Sequence, residues 1–219
     1  MEIWDCLRSP AADAATNMAV DHALLRFAAT RGRPLLRLYA WRQPAVSYGY
    51  FQKFPAQLAS QYEIVRRPTG GGLVYHGNDT TYTVVIPPGH ALYRLSTAGA
   101  YQAIHRAVAV ALIDKTELLR HAQAPRGQYE CFKNPVAGDV VAGNQKLAGG
   151  AQRRGRTGVL HQGSIAGHVD ADRLLAGFRS EFGVEFAPYT LTVTECAEAE
   201  KLCREKYAPA SVIRIPALE

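Results

Sequence analysis

Apolar positions recur at helical spacing in four stretches of the chain. Met18, Leu24, Leu25, Phe27 and Ala28 mark one face of residues 13 to 31, which stop before Gly32-Arg33-Pro34, where a helix ends. Tyr101, Ile104, Val108, Ala111 and Leu112 do the same for residues 96 to 113, with Ser96 as N-cap. A third helix opens at Asp170, carries Leu174, Leu175, Phe178 and Phe182, and closes at Gly183. Thr192-Val193-Thr194-Glu195 is a capping box that opens a fourth, running to about Tyr207. Between these helices the pattern changes to apolar and β-branched runs of strand length. Residues 35 to 50 read as two short strands broken at Gln43-Pro44, and residues 65 to 86 as two strands joined by a triple-glycine loop. Residues 139 to 152 read as a hairpin turning at Gly143-Asn144, and 157 to 166 as a further strand. Helix, strands, helix, strands, helix, helix predicts an α+β fold with helices stacked on a mixed sheet.

Periodicity also assigns environments. Cys196 and Cys203, seven residues apart on the fourth helix, share a face and read as buried thiols. His105, beside the apolar face of the second helix, reads as structural or solvent-facing. Arg37 and Trp41 read as strand surface and core aromatic, and Asn17-Met18-Ala19-Val20-Asp21 as part of a packing helix.

At 219 residues the chain is long enough for one domain that buries roughly 70% of its unfolded surface. No apolar run approaches the roughly 20 residues of a membrane span, and the N-terminus lacks a basic patch followed by an apolar stretch, so the expected location is the cytoplasm. Four cysteines without a Cys-x-x-Cys pair argue against a zinc site or a disulfide framework. The net charge of +6 favours an acidic partner, and the basic residues lack the aromatic-interleaved clustering of a nucleic-acid module, leaving an acidic carrier protein or substrate domain.

Two stretches carry chemistry. Gly70, Gly71 and Gly72 cost folding entropy, which suits a loop that needs positive φ or a ligand lying on the main chain, although a glycine-rich turn would look alike. Arg66 and Arg67 supply anion-pairing forks beside it. No Gly-Lys-Ser/Thr follows, and the Gly-x-Gly-x-x-Gly spacing is missing, so neither a Walker loop nor a dinucleotide fold is indicated. In the second stretch, Lys146 stands among small residues with room around its ammonium for a carbonyl or phosphate.

The run Arg66-Arg67-Pro68-Thr69-Gly70-Gly71-Gly72-Leu73-Val74-Tyr75-His76 resembles the Arg-Arg-x-Ser/Thr-Gly-Gly-Gly-x-Val-x-His signature of the biotin/lipoate protein ligase and octanoyltransferase superfamily. Lys146-Leu147-Ala148-Gly149-Gly150-Ala151-Gln152 is similar to its lysine block, and Leu160-His161-Gln162-Gly163-Ser164 to the strand that follows. The resemblance spans about residues 16 to 167. It implies a class II synthetase-like catalytic domain that attaches lipoyl, octanoyl or biotinyl groups to a lysine of a carrier domain. In the lipoate and octanoate branches that acceptor is a lipoyl domain or the glycine cleavage H protein. It further implies that Arg67, Thr69, Gly70 to Gly72, Val74, His76, Gly149 and His161 bind the acyl donor and that Lys146 is catalytic.

Cys131-Phe132-Lys133-Asn134-Pro135 resembles the nucleophile loop of cysteine-dependent octanoyltransferases. This implies an acyl-enzyme on Cys131, loaded from an acyl carrier protein thioester, without cofactor. An ATP-dependent lipoate ligase, using ATP and Mg to form an acyl adenylate, remains the alternative. A non-catalytic binding module would require both Cys131 and Lys146 to be dispensable. Tyr82 in Thr81-Tyr82-Thr83 is similar to the transferases, Gly77-Asn78 to the ligases. Neither a metal site nor an oligomeric state is read.

Overall fold

Strands that carry apolar side chains on both faces need two covers, and the central strands of this protein are of that kind. In the computed structural model, which describes residues 1–112, 116–122 and 134–207, the chain runs β1 (Glu2–Arg8), α1 (Ala14–Arg26), α2 (Ala28–Arg31), β2 (Leu35–Tyr39), β3 (Ala45–Tyr48), β4 (Glu63–Arg66), β5 (Leu73–His76) and β6 (Asp79–Ile86). It continues through α3 (Ala91–Arg94), α4 (Thr97–Ala111), β7 (Glu117–Leu118), β8 (Val140–Ala142), β9 (Gln145–Gly155), β10 (Gly158–Ala166), α5 (Ala171–Phe182), β11 (Val184–Pro188) and α6 (Val193–Leu202). One sheet has the order β11-β1-β2-β6-β10-β9-β8-β7, parallel among β11, β1 and β2 and antiparallel beyond. A small sheet has the order β4-β3-β5.

Successive residues of the central strands alternate between two cores. Leu35, Val85 and Leu160 join Met18 and Leu24 of α1 and Leu202 of α6. Leu36, Val84, Ile86 and Val159 join Ile104 and Val108 of α4 and Phe178 of α5 on the other face. The expected α+β class with a mixed sheet is what the residues build.

Several local expectations need correction. The segment 13 to 31 is two helices, because Phe27 leaves helical geometry and its N–H turns back to the Ala23 carbonyl. The strands flanking the triple glycine do not pair with each other; both pair with β3, parallel for β4 and antiparallel for β5. The second of those runs also divides at Gly77, so β5 and β6 belong to different sheets. Cys196 is exposed and Cys203 only half-buried, since α6 packs through Glu195, Ala199 and Leu202 instead. Of the two readings of His105, structural or solvent-facing, burial selects the first: it is fully buried. Arg37 is no strand surface: 1% exposed, it meets Asp21 of α1 at 2.7 Å. Strands β1, β7 and β11 are additions to the expected set.

Candidate active site

The triple glycine is held by the arginine before it. Arg67 donates from Nη1 to the Ser47 carbonyl at 2.8 Å and Ser47 Oγ at 2.9 Å, and from Nη2 to the carbonyls of Gly70 and Gly72 at 2.8 Å each. Its fork, expected to pair an anion, thus braces the loop. Thr69 ties the same loop to the main sheet through a 2.8 Å bond to Gln162 Oε1. Gly71 needs its lack of side chain for φ +87°, and Gly49 for contact: a Cβ there would stand 1.9 Å from the Gly71 carbonyl oxygen. Gly70 has open space where a Cβ would go.

His76, at the end of β5, links the two sheets. Its Nε2 lies 2.7 Å from Ser47 Oγ and its Nδ1 2.8 Å from Asp79 Oδ2, which also accepts from Ser164 and Thr81. Trp41 stacks on the imidazole at 4.0 Å. Burial pulls the His76 pKa below its usual value despite the neighbouring carboxylate. Burial raises the Asp79 carboxyl, yet hydrogen bonds from His76, Ser164 and the Gly77 N–H outweigh it and leave it below the ordinary range. The connectivity Ser47–His76–Asp79 is that of a nucleophilic triad. Ser47, however, is fully buried and its Oγ already accepts from Arg67, so the chain serves as a brace.

Lys146 follows the turn of the β8–β9 hairpin, where a register shift interrupts the pairing with Val140 and Val141. Its Nζ sits 2.7 Å from Asp139 Oδ2, with the lysine side chain 5% exposed and the carboxylate fully enclosed. Asp139 also accepts the Tyr101 hydroxyl at 2.5 Å and the Val136 N–H at 2.7 Å. Burial, followed by the Asp139 charge, pushes the Tyr101 phenol well above its normal range, so it remains a donor. Gly149 makes room for the lysine: a Cβ there would lie 2.5 Å from Nζ.

These groups meet at a narrow cavity of ≈ 40 Å³. Of the residues singled out in the sequence, Arg67, Val74, His76, Lys146 and Gly149 line it. Thr69 stands behind Gln162, while Gly70 and Gly72 contribute carbonyls to the Arg67 brace. His161 faces the other core, against Tyr82 and Gln152, and burial holds its pKa well below the ordinary imidazole value. Cys131 lies outside the described residues.

Met18, Tyr39, Trp41, Thr81 and Gln162 also line the cavity and were not assigned to it from sequence. A buried polar network supports this floor. Asp21 accepts from Arg37, Thr83, Gln162 and Tyr39 at 2.7, 2.8, 2.7 and 3.2 Å. The polar pair Asn17 and Asp21, four residues apart and so on one face of α1, was the available signal. Among the described residues, no three His, Cys, Asp or Glu side chains converge as metal ligands, and no helix is long and apolar enough to cross a membrane.

A family model described as the lipoyl protein ligase A/B catalytic domain matches residues 13–182. An octanoyltransferase LipM of Kyrpidia tusciae is 37% identical over 82% of this chain and 71% of its own. Another, of Halalkalibacterium halodurans, is 29% identical over 94% of this chain and 97% of its own. Among solved structures, the bi-partite lipoate protein ligase of Thermoplasma acidophilum aligns with a TM-score of 0.72 at 20% identity, covering 96% of this chain and 94% of that one, a likeness of fold.

Proposed function

The chain belongs to the lipoyl protein ligase A/B catalytic-domain family, on the branch of the LipM octanoyltransferases, and we propose that it moves an octanoyl group from an acyl carrier protein thioester, through Cys131, to a lysine of a lipoyl domain or H protein. Residues 1–219 act as one catalytic domain in this reading. The observation that carries it is the Lys146 ammonium, fixed by a buried carboxylate at one end of a cavity whose other walls include Met18, Val74 and Trp41. From β9, which bears Lys146, across β10 and β6 to Tyr39 on β2 is three strand spacings, about 14 Å. An eight-carbon chain, with C–C bonds of about 1.5 Å, extends to roughly 10 Å, shorter than that span.

In the first step the Cys131 thiolate attacks the thioester carbonyl, the carbon–sulfur bond to the carrier breaks, and the carrier leaves as a thiolate that takes up a proton. In the second, the neutral amine of the acceptor lysine attacks the acyl-cysteine. An amide forms, Cys131 leaves as thiolate, and the amine's surplus proton goes to solvent. Both steps pass through a tetrahedral oxyanion, and the role of Lys146 is to stabilise it and to favour the thiolate. This route uses neither ATP nor a metal. That the relatives matched over most of their length are octanoyltransferases favours it over ATP-dependent ligation.

Lys146→Ala tests the assignment. Octanoyl transfer to a lipoyl domain is expected to fall about 100- to 1000-fold, with circular dichroism establishing that the variant is folded. Transfer within a few-fold of the parent protein would remove Lys146 from the chemistry.

A further inference from the structure

A second cavity, of ≈ 310 Å³, lies against the first, and His76 lines both. Ala166 and Gly167 form one of its walls at the end of β10, where Ala166 pairs with Asp79. The preceding residue, Ile165, pairs with Ala148, so this wall and Lys146 stand at the same end of the sheet. The two spaces are therefore an inner pocket and an outer one that share the His76 imidazole as a wall.

Their chemistry is opposite. The inner pocket carries the cations Arg67 and Lys146, which suit a carbonyl oxygen that becomes anionic. The outer one carries two tyrosines and a carboxylate: the rings of Tyr62 and Tyr75 meet edge to face at 5.5 Å, and Asp79 lies beside them with Asn78. Aromatic faces and a carboxylate converging on one space attract a cation, and an alkyl stem can lie along the rings while its ammonium reaches the oxygens. An anionic ligand would be opposed by the Asp79 charge, whose Oδ2 is engaged by His76, Thr81 and Ser164 and whose Oδ1, accepting the Gly77 N–H at 3.1 Å, has a lone pair to offer an ammonium.

We propose that the outer cavity receives the acceptor lysine, its ammonium held by Tyr62, Tyr75 and Asp79 until it gives up a proton to solvent and the neutral amine passes His76 toward the acyl group. The assignment rests on the acyltransferase reading above and adds the route of the second substrate. In this assignment the cavity serves the acceptor and not the donor, so the two half-reactions respond differently to changes in it.

The experiment compares two double variants of the full-length protein. Tyr62→Leu with Tyr75→Leu keeps apolar bulk and removes the π faces; Tyr62→Phe with Tyr75→Phe keeps the faces. Octanoyl loading from the carrier thioester is expected to match the parent protein in both. The lipoyl-domain concentration that gives half-maximal transfer is expected to rise about tenfold in the leucine variant and to stay within a factor of two in the phenylalanine variant. Separately, Nα-acetyl-lysine amide, titrated into unacylated protein and followed by NMR, is expected to bind the parent and phenylalanine forms and not the leucine form.

Equal acceptor dependence in the leucine variant and the parent would overturn the proposal. So would equal losses in both variants, a fall in loading that matches the fall in transfer, or no binding of the lysine amide to the parent protein. Binding of the amide by a parent protein that never becomes acylated would instead overturn the acyltransferase reading and leave a cation site.

Discussion

Asp139 and Lys146 form a buried ion pair, an arrangement that costs desolvation energy and seldom repays it in stability. Its use is to fix a charge in one place. Asp139→Asn is expected to lower transfer about 100-fold through a mispositioned ammonium, and to cost about 3 kcal/mol of stability by taking the buried carboxylate away from that ammonium. Kinetics and urea unfolding measure the two effects; an unchanged rate would show that the carboxylate does not position the lysine. His105, behind this pair, reports on pH. Its Nδ1 lies 2.6 Å from the Gly138 carbonyl, its Nε2 is buried without a hydrogen-bond partner among the described residues, and burial pulls its pKa from 6.5 down to about 4. The unfolded chain therefore binds a proton below pH 6.5 that the folded protein refuses until about pH 4. The contribution of this group is constant above that window and falls as the pH falls inside it, by about 3 kcal/mol. Unfolding free energies measured from pH 7 to pH 4 should show the drop, and His105→Gln should reduce it. An equal drop in that variant would assign it to other groups.

The elements fall into two classes of legibility. Helices α4, α5 and α6 were readable because their signals are local: Ser96, Asp170 and Thr192 cap them as expected, the last in a complete capping box. Strand β1 was not, because its centre, Trp4-Asp5-Cys6-Leu7, does not alternate and its parallel partners lie about 30 and 180 residues away. The same limit hid the pairing of β4 and β5 with β3, and with it the use of Arg67 as a brace. Spacing identified the glycine loop and the lysine strand, whereas Trp41, Thr81 and Gln162 enter the cavity only through strand pairing. The contact between Gly49 and Gly71 is the sharpest of these non-local details. Gly49→Ala is expected to displace the loop and slow octanoyl loading about 100-fold, with a stability loss of about 1–3 kcal/mol. Normal loading by a folded variant would show that the loop does not shape the donor site.

At the scale of the molecule, helices close both faces of the main sheet, and the small sheet brings the glycine loop against β10. The site thus sits at one end of the strands, with the Lys146–Asp139 pair beneath α4 and the loop tied to Gln162 of β10. Many surface arginines are spent on ion pairs between elements, such as Arg8 with Asp172 and Arg106 with Glu181. The surplus of positive charge still favours approach of an acidic carrier. The central claim is that such a carrier leaves its acyl group on the protein. Incubation with octanoyl carrier protein, without ATP or acceptor, followed by intact-protein mass spectrometry, tests it most directly. The expected result is the gain of one octanoyl group as a hydroxylamine-labile thioester, absent in Cys131→Ala. No gain in mass, together with ATP-dependent acylation of a lipoyl domain that Cys131→Ala leaves intact, would contradict the account.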